Sequence, residues 1–432
     1  MKKLTALFCL LALCLPLCAC SGGSLTLEET ATEVKTEEQK TEQAKEETSK
    51  ITYPEGFSVG FGRADISGPL PVEIWESEAT VVGDPLMLTV VAVCDGESAV
   101  LLINADALGI KKKAYESCAK LIAKYNIPSE SLLINATHSH SAPSIGSDAR
   151  WMKNFYTQFS KAVEEALRDL TPAKAYAGEG KTENFSFVRR YLQPDGTYKT
   201  HGDKTSVSHE TEADRSLRTI RFEREGKKDV LIVNWQGHAR GNTEGHYAEY
   251  SSDYIGAMRR VLLEQGGVES LFLLGASGDV NCASELSPSS RARTYLEYGT
   301  TIANKIMVEY NNFQKVETGS IQVQTKKFRI PSNTEDYSLN VFSIGEVGFI
   351  MVPYEMFTSI ALAIKEQSPY PMTFIITCAQ GSEGYLPTKK AEDGEEKPKR
   401  TRKKAEAPAE SVPAEKPKRT RKKAETPAEA VP

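Results

Sequence analysis

Past its first twenty residues the chain is poor in cysteine. Only Cys94, Cys118, Cys282 and Cys378 remain, and they are too far apart to form a Cys-x-x-Cys pair. This excludes a zinc knuckle and a dense disulfide framework. There is no His-Glu-x-x-His helix, no Gly-x-Ser-x-Gly elbow and no phosphate-binding glycine loop. Zincins, serine esterases of the α/β-hydrolase type and nucleotide enzymes are therefore excluded as well. No apolar run after Leu17 is long enough to cross a bilayer. The formal net charge of −5 names no partner. Histidine is scarce too, six in 432 residues, yet two of the six stand one residue apart in Thr137-His138-Ser139-His140-Ser141.

The two ends read as segments outside the fold. Lys2 and Lys3 precede an apolar stretch, Leu4 to Leu17, that closes on Leu17-Cys18-Ala19-Cys20 and a Ser/Gly spacer. This resembles a bacterial lipobox, with Cys20 lipidated and becoming the mature N-terminus; an ordinary secretory signal cut after Ala19 is the alternative. Either reading sends the mature protein out of the cytoplasm, and the lipobox makes it a membrane-anchored lipoprotein. Residues 21–50, rich in Glu, Lys, Thr and Gln, read as a disordered tether, with a short solvated helix as the alternative. At the other end, Lys397 to Glu406 recurs as Lys416 to Glu425, so residues 389–432 read as a disordered, locally basic repeat tail. Behind an export signal this tail implies no nucleic-acid partner; anionic envelope polymers, lipid headgroups or no partner at all remain open.

Between the ends lies one large catalytic-sized domain, residues 51–388. Short apolar runs alternate with helical periodicities, which predicts an α/β fold with a mixed β-sheet core flanked by helices. The expected strands are 88–94, 99–104, 131–135, 216–222, 230–234, 270–274, 338–344, 347–352 and 373–378. The expected helices are 112–125, 151–170, 253–265, 289–310 and 355–366.

Reactive side chains gather where apolar runs end. One run leads into the His138/His140 loop, another into Gln236-Gly237-His238, and a third into Gly278-Asp279-Val280-Asn281. A fourth leads into Gly381-Ser382-Glu383-Gly384-Tyr385, and a fifth into Val352-Pro353-Tyr354-Glu355, where the carboxylate is expected to open a helix. If these strands run the same way, the loops converge on one edge, as in α/β sites assembled from remote residues. A catalytic zinc site needs about three N/O ligands and an open position. His138, His238 and Glu355 are candidates, with Tyr385 a weaker fourth. Each also has a plain reading: a backbone-bonded loop histidine, a carboxylate at the positive end of a helix, a loop aromatic.

Seven segments occur together in one order: Val59 to Pro69, Asn135 to Pro143, Asn234 to His238, Ser251-Ser252-Asp253, Gly275 to Asn281, Val352 to Glu355 and Gly384 to Thr388. They resemble the N-terminal catalytic domain of the neutral/alkaline (non-lysosomal) ceramidases and their bacterial relatives. The resemblance implies a zinc-dependent hydrolase that cleaves an N-acyl amide, of a lipid or small molecule, with metal-activated water. It implies His138, His238, Glu355 and Tyr385 as zinc ligands and His140 as the residue beside the scissile carbonyl. It implies a substrate-contacting arginine in Val188-Arg189-Arg190-Tyr191, taken as Arg189. The chain departs from the family in three ways. Asn281 stands where ceramidases carry serine and cannot serve as an acyl-accepting nucleophile. The family's Tyr-Glu-Gly-type tyrosine is missing after the Gly-Tyr loop, and so is the C-terminal immunoglobulin-like domain. These departures bear on ceramide as substrate more than on hydrolysis. They also keep open a second reading, a non-catalytic surface lipoprotein that binds a lipid or glycan on the same fold. Sequence leaves the oligomeric state unassigned.

Overall fold

The computed structural model describes residues 51–394 apart from 76, 241–247, 292 and 330–335. The expected lipobox, tether and most of the repeat tail lie outside the described residues. Within them, no helix is long and apolar enough to cross a membrane.

The core is a mixed α/β assembly. Its main sheet runs through β1 (Ser58–Asp65), β2 (Met87–Cys94), β3 (Ala99–Ala105), β4 (Leu132–Ala136), β5 (Thr171–Lys181), β6 (Ser216–Arg224), β7 (Val230–Trp235) and β8 (Glu269–Leu274). The spatial order is β8-β7-β6-β5-β1-β2-β3-β4, with the short strand Gln314–Val316 added on β5. All pairings along this path are antiparallel except β3 with β4 and β7 with β8. Only Ser58↔Pro172 and Val59↔Thr171 join the two halves. At this narrow junction the sheet folds back, so that β8 faces β2, β3 and β4.

Period-2 alternation explains why this closes. In β2, Val91 and Val93 enter a central core while Leu88, Val90, Ala92 and Cys94 face outward into a second one. In β7, Val230 and Ile232 enter the centre while Leu231, Val233 and Trp235 face a third. Each outer face is covered by helices. Helix α1 (Lys112–Ile122) and α2 (Ala149–Arg168) pack on β1–β4; α3 (Asp253–Gly266) and α4 (Tyr295–Glu309) pack on the other half. Strands buried on both faces read as nearly continuous apolar runs, which is why β2, β3, β4, β7 and β8 were expected from sequence. Helix starts are chemically marked. Asp148 caps α2 by accepting from the backbone N–H groups of Arg150 and Trp151, and Thr294 and Glu297 form a capping box on α4.

A separate four-stranded sheet, β9 (Ile321–Arg329), β10 (Asp336–Ile344), β11 (Val347–Met351) and β12 (Met372–Ile376), adds Phe342, Phe349 and Phe374 to the central core. Its β11 and β12 are parallel. Helix α5 (Thr358–Gln367) connects them, and a short helix α6 (Lys389–Gly394) continues the fold past Thr388. The expected single sheet edge is therefore formed by three parallel pairs, β3/β4, β7/β8 and β11/β12, whose carboxyl ends meet. Among the long strands, β1, β5 and β9 went unanticipated, as did the short ones such as Gln314–Val316. The helix expected from Glu355 begins at Thr358 instead, because Glu355–Met356 form a two-residue strand with Tyr385–Leu386.

Candidate metal centre

Two asparagines fasten the strand ends that carry the histidines. Asn135 on β4 donates through Nδ2 to the carbonyl of Thr377 at 2.9 Å and accepts from Asn104 Nδ2 at 2.7 Å. Asn234 on β7 donates through Nδ2 to the carbonyls of Leu273, 2.8 Å, and Ile375, 2.9 Å. Buried amide groups need such partners. Here the partners stitch both halves of the main sheet to β12 and its continuation. The His138 and His238 loops leave from these fixed points. His138 adopts φ 60°, a left-handed conformation unusual for a non-glycine residue, and one that collects at functional sites.

The three histidines form one buried cluster. Ring centroids lie 5.2 Å apart for His138 and His140, 4.9 Å for His138 and His238, and 4.9 Å for His140 and His238. One ligand atom from each falls within 4.8 Å of the others. The second nitrogens are spoken for. His138 Nδ1 stands 2.7 Å from the Leu108 carbonyl and His238 Nδ1 3.2 Å from the Val280 carbonyl. A carbonyl only accepts, so both Nδ1 atoms carry a proton, and each ring turns its Nε2 inward.

What those Nε2 atoms face is informative. His138 Nε2 lies 3.2 Å from Glu355 Oε2. His238 Nε2 lies 2.8 Å from His140 Nε2. A lone pair set against a carboxylate in a buried site needs a cation between them, either a second proton or a metal ion. The remaining polar atoms are under-satisfied: Glu355 Oε2 and His140 Nδ1 are buried without a hydrogen bond. Ligand atoms around tetrahedral zinc stand roughly 3.3 Å apart, given bonds of about 2.0–2.1 Å. The 3.2 Å pair matches this spacing, and the 2.8 Å pair opens to it with a small ring movement. These donors fit a divalent metal.

Protonation runs the same way. Burial, followed by the charge on His138 and by Arg240 and Arg189, pulls His140 down to about 2. Burial, His138 and His140 also hold His238 well below the usual imidazole range. Both are neutral at physiological pH, the state a metal requires. Burial pulls His138 down as well, but Cys378 and the Glu355 carboxylate outweigh it and raise it well above the usual value. Glu355 stays ionised: His138, Arg189 and Tyr385 overcome its burial and lower it.

Glu355 and Tyr385 are direct partners in a parallel two-residue ribbon. The Tyr385 hydroxyl helps to hold Glu355 ionised and accepts from Arg189 Nη2 at 3.0 Å. Arg189 also donates to the Gly278 carbonyl at 2.8 Å. Its neighbour Arg190 turns away to Glu210 at 2.5 Å, so Arg189 is the arginine at the site. Gly278 permits this close approach, since a Cβ there would lie 2.3 Å from the Glu355 carbonyl oxygen. Asn281 pairs with Phe187 beside His238, and its Oδ1 is buried without a partner. Asp279 is structural: Oδ1 accepts from the Thr358 N–H and hydroxyl at 2.8 Å, anchoring α5.

All the candidate residues within the described chain thus meet at one place: His138, His140, His238, Glu355, Tyr385, Arg189 and Asn281. His140 stands among the other two histidines, not apart from them. Sequence reasoning missed the Leu108 and Val280 carbonyls that orient the rings, since any residue type supplies a carbonyl. It also missed Trp75, whose ring lies edge-on to His140 at 5.0 Å; a tryptophan just past the alternating Val72-Glu73-Ile74 run was the available signal.

No protein-family model and no curated protein matches the chain. Among solved structures, its fold superposes on a ceramidase complexed with C2, with a TM-score of 0.63 and 14% identity over 78% of this chain and 70% of the other. It superposes equally on the neutral ceramidase from Pseudomonas aeruginosa, with a TM-score of 0.62 and 14% identity over 78% of this chain and 69% of the other. The structural neighbours are neutral ceramidases, and this chain shares their fold.

Proposed function

We propose that a protein with this fold and this histidine cluster is a zinc-dependent hydrolase of N-acyl amides, held at a membrane surface by a lipid on Cys20. The observation that carries the reading is the inward-facing set of His138 Nε2, His238 Nε2, His140 Nε2 and Glu355 Oε2, with two of the rings locked by backbone carbonyls. The ceramidase fold supplies the amide chemistry as the reaction class.

His138, His238 and Glu355 would hold the ion, with Tyr385 or His140 completing the set. Zinc in that position supplies a Lewis acid for the amide carbonyl and brings the pKa of water to about 7. The chain's own residues do the rest. Arg189 holds the Tyr385 hydroxyl by a 3.0 Å bond and so fixes it beside Glu355, while the guanidinium brings positive charge to the place where charge develops on the carbonyl oxygen. His140 is neutral and has one nitrogen without a partner, so it can accept a hydrogen bond from the attacking water or from the substrate amide and orient it. Asn281 Oδ1 is an available acceptor for the substrate amide N–H. No serine stands at this position to form an acyl-enzyme, so water is the attacking group.

The test is metal analysis of the purified mature chain coupled to an N-acyl amide screen. We expect about one zinc per chain and turnover that a chelator removes and zinc restores. A folded protein that stays metal-free after zinc supplementation would overturn the reading.

A further inference from the structure

The hairpin Val72–Ile74/Ser77–Ala79 stands over the site, with Val72 paired to Ala79 and Ile74 to Ser77. Val72, Ile74 and Ala79 are buried in the core beneath α2, and Arg150 Nη2 holds the Pro71 carbonyl at 2.7 Å. The first strand is therefore anchored at both ends, and Trp75 follows directly from it. The chain has three tryptophans. Trp151 and Trp235 are 0% and 1% exposed and donate their indole N–H groups to Ile66 O and Thr182 Oγ1. Trp75 differs on both counts. It is 43% exposed, and among the described residues its indole N–H has no partner. One edge of the ring system meets His140, with planes inclined at 64°, and part of the residue is open to solvent. The ribbon then continues into Val81 and Val82, which are also exposed. Tyr385, the exposed aromatic associated with Glu355, is already engaged by Arg189.

We propose that Trp75 is the specificity-determining residue for the aliphatic part of the substrate, a role that rests on the hydrolase reading above. A large apolar ring held half in water beside a buried polar cluster has unfilled dispersion and hydrophobic contacts. An amide placed with its carbonyl at the histidines brings a flanking chain against that ring. Aliphatic surface laid there leaves water without displacing any protein hydrogen bond. The indole therefore favours substrates with long chains and is indifferent to short ones.

The experiment compares the zinc-supplemented full protein with Trp75→Ala and Trp75→Phe on two substrate series. One varies the acyl chain from acetyl to hexadecanoyl on a fixed amine, and the other varies the alkyl chain on a fixed acetyl group. Tryptophan emission is recorded while an N-dodecanoyl amide is titrated in. We expect Trp75→Ala to lose at least tenfold more kcat/KM on long chains than on short ones in one of the series, which assigns the arm. Trp75→Phe should fall between. Emission should shift to the blue in the wild type and stay unmoved in Trp75→Phe, since the other two indoles are buried. An equal loss at every chain length, or none, would overturn the role and leave Trp75 as a support for His140. Turnover without an emission shift or chain dependence removes this proposal and keeps the hydrolase. A saturable shift with no turnover of any substrate keeps the chain-binding role and removes the hydrolase; absence of both removes both.

Discussion

Asn135 and Asn234 occupy corresponding positions, one at the end of β4 and one near the end of β7, and both donate through Nδ2 to carbonyls of the same segment, Thr377 and Ile375. The two half-sheets have few direct links, yet their histidine loops diverge from points fixed to one common strand. The geometry of the His138–His238 pair therefore depends on these two amides.

Asn135→Ala and Asn234→Ala should each cost about 3 kcal/mol. Each removes the side-chain donor to two buried carbonyls, at roughly 1–3 kcal/mol for a carbonyl left unpaired. For Asn135 these are Ala136 and Thr377, and for Asn234 they are Leu273 and Ile375. Urea unfolding with unchanged m-value measures this. A loss under about 1 kcal/mol in both variants would mean that water or a backbone shift repairs the gap.

His138 separates metal binding from stability. Its φ of 60° strains a histidine by roughly 1–3 kcal/mol, whereas asparagine tolerates this region well. His138→Asn should abolish stoichiometric zinc and hydrolysis while keeping the unfolding midpoint within a few degrees of the metal-free wild type. Metal analysis and calorimetry on the same sample decide it; a variant that unfolds would show that the ring itself holds the loop.

The metal-free protein should be most stable near neutral pH. His140 and His238 have folded values below the unfolded 6.5, so their contribution is present above 6.5 and is lost as pH falls below it. His138 has a raised value, so its contribution is full below 6.5 and is lost as pH rises toward its folded value. Between pH 7.5 and 5.5 the unfolded chain gains protons on all three rings, while the folded chain already holds one, on His138. Acidification from 6.5 to 5 should thus remove about 3 kcal/mol. Zinc should raise the midpoint at pH 7.5 and do so far less at pH 5.5, because its ligands must give up protons to bind. Melts with zinc or chelator at the two pH values check both signs.

Lipidation at Cys20 is a separate matter, resting on Leu17-Cys18-Ala19-Cys20 alone. Cys20→Ser should move the protein from the membrane pellet to the soluble extracytoplasmic fraction and remove incorporation of labelled fatty acid. Unchanged fractionation would favour simple secretion after Ala19 or a different anchor.

How far the fold was legible depended on burial. β2, β4 and β7 are apolar on both faces and announce themselves. β5, Thr171–Lys181, is mostly Ala, Gly, Lys and Glu and has little strand propensity of its own. It is a strand because β6 and the Gln314–Val316 strand pair with it from both sides. β1 was hidden by its glycines, whose purpose is contact: a Cβ on Gly60 would lie 1.9 Å from the Ala166 carbonyl of α2. The site was legible residue by residue, since imidazoles and carboxylates after apolar runs mark themselves. Its pairings were not. That Glu355 faces Tyr385 across a ribbon, and that Arg189 and not Arg190 turns inward, are matters of register, where one residue reverses the side chain.

Asn281 offers the sharpest test of the proposal that water, not an enzyme nucleophile, attacks the amide. Its Oδ1 is buried and lacks a partner beside His238, whose Nδ1–H is held by the adjacent Val280 carbonyl. Binding an amide N–H there satisfies both groups at once. Asn281→Ala should lower kcat/KM by about tenfold to a hundredfold, corresponding to a lost hydrogen bond of roughly 1.5–3 kcal/mol. Asn281→Ser restores a hydroxyl acceptor of shorter reach, so activity should recover only in part. Neither variant nor the wild type should accumulate an acyl-enzyme, which rapid acid quenching and intact-mass measurement would detect as a burst of acylated protein. A burst in the Asn281→Ser variant alone would show that the site can run through a serine nucleophile and that asparagine blocks that route. A burst in the wild type would refute direct attack by water.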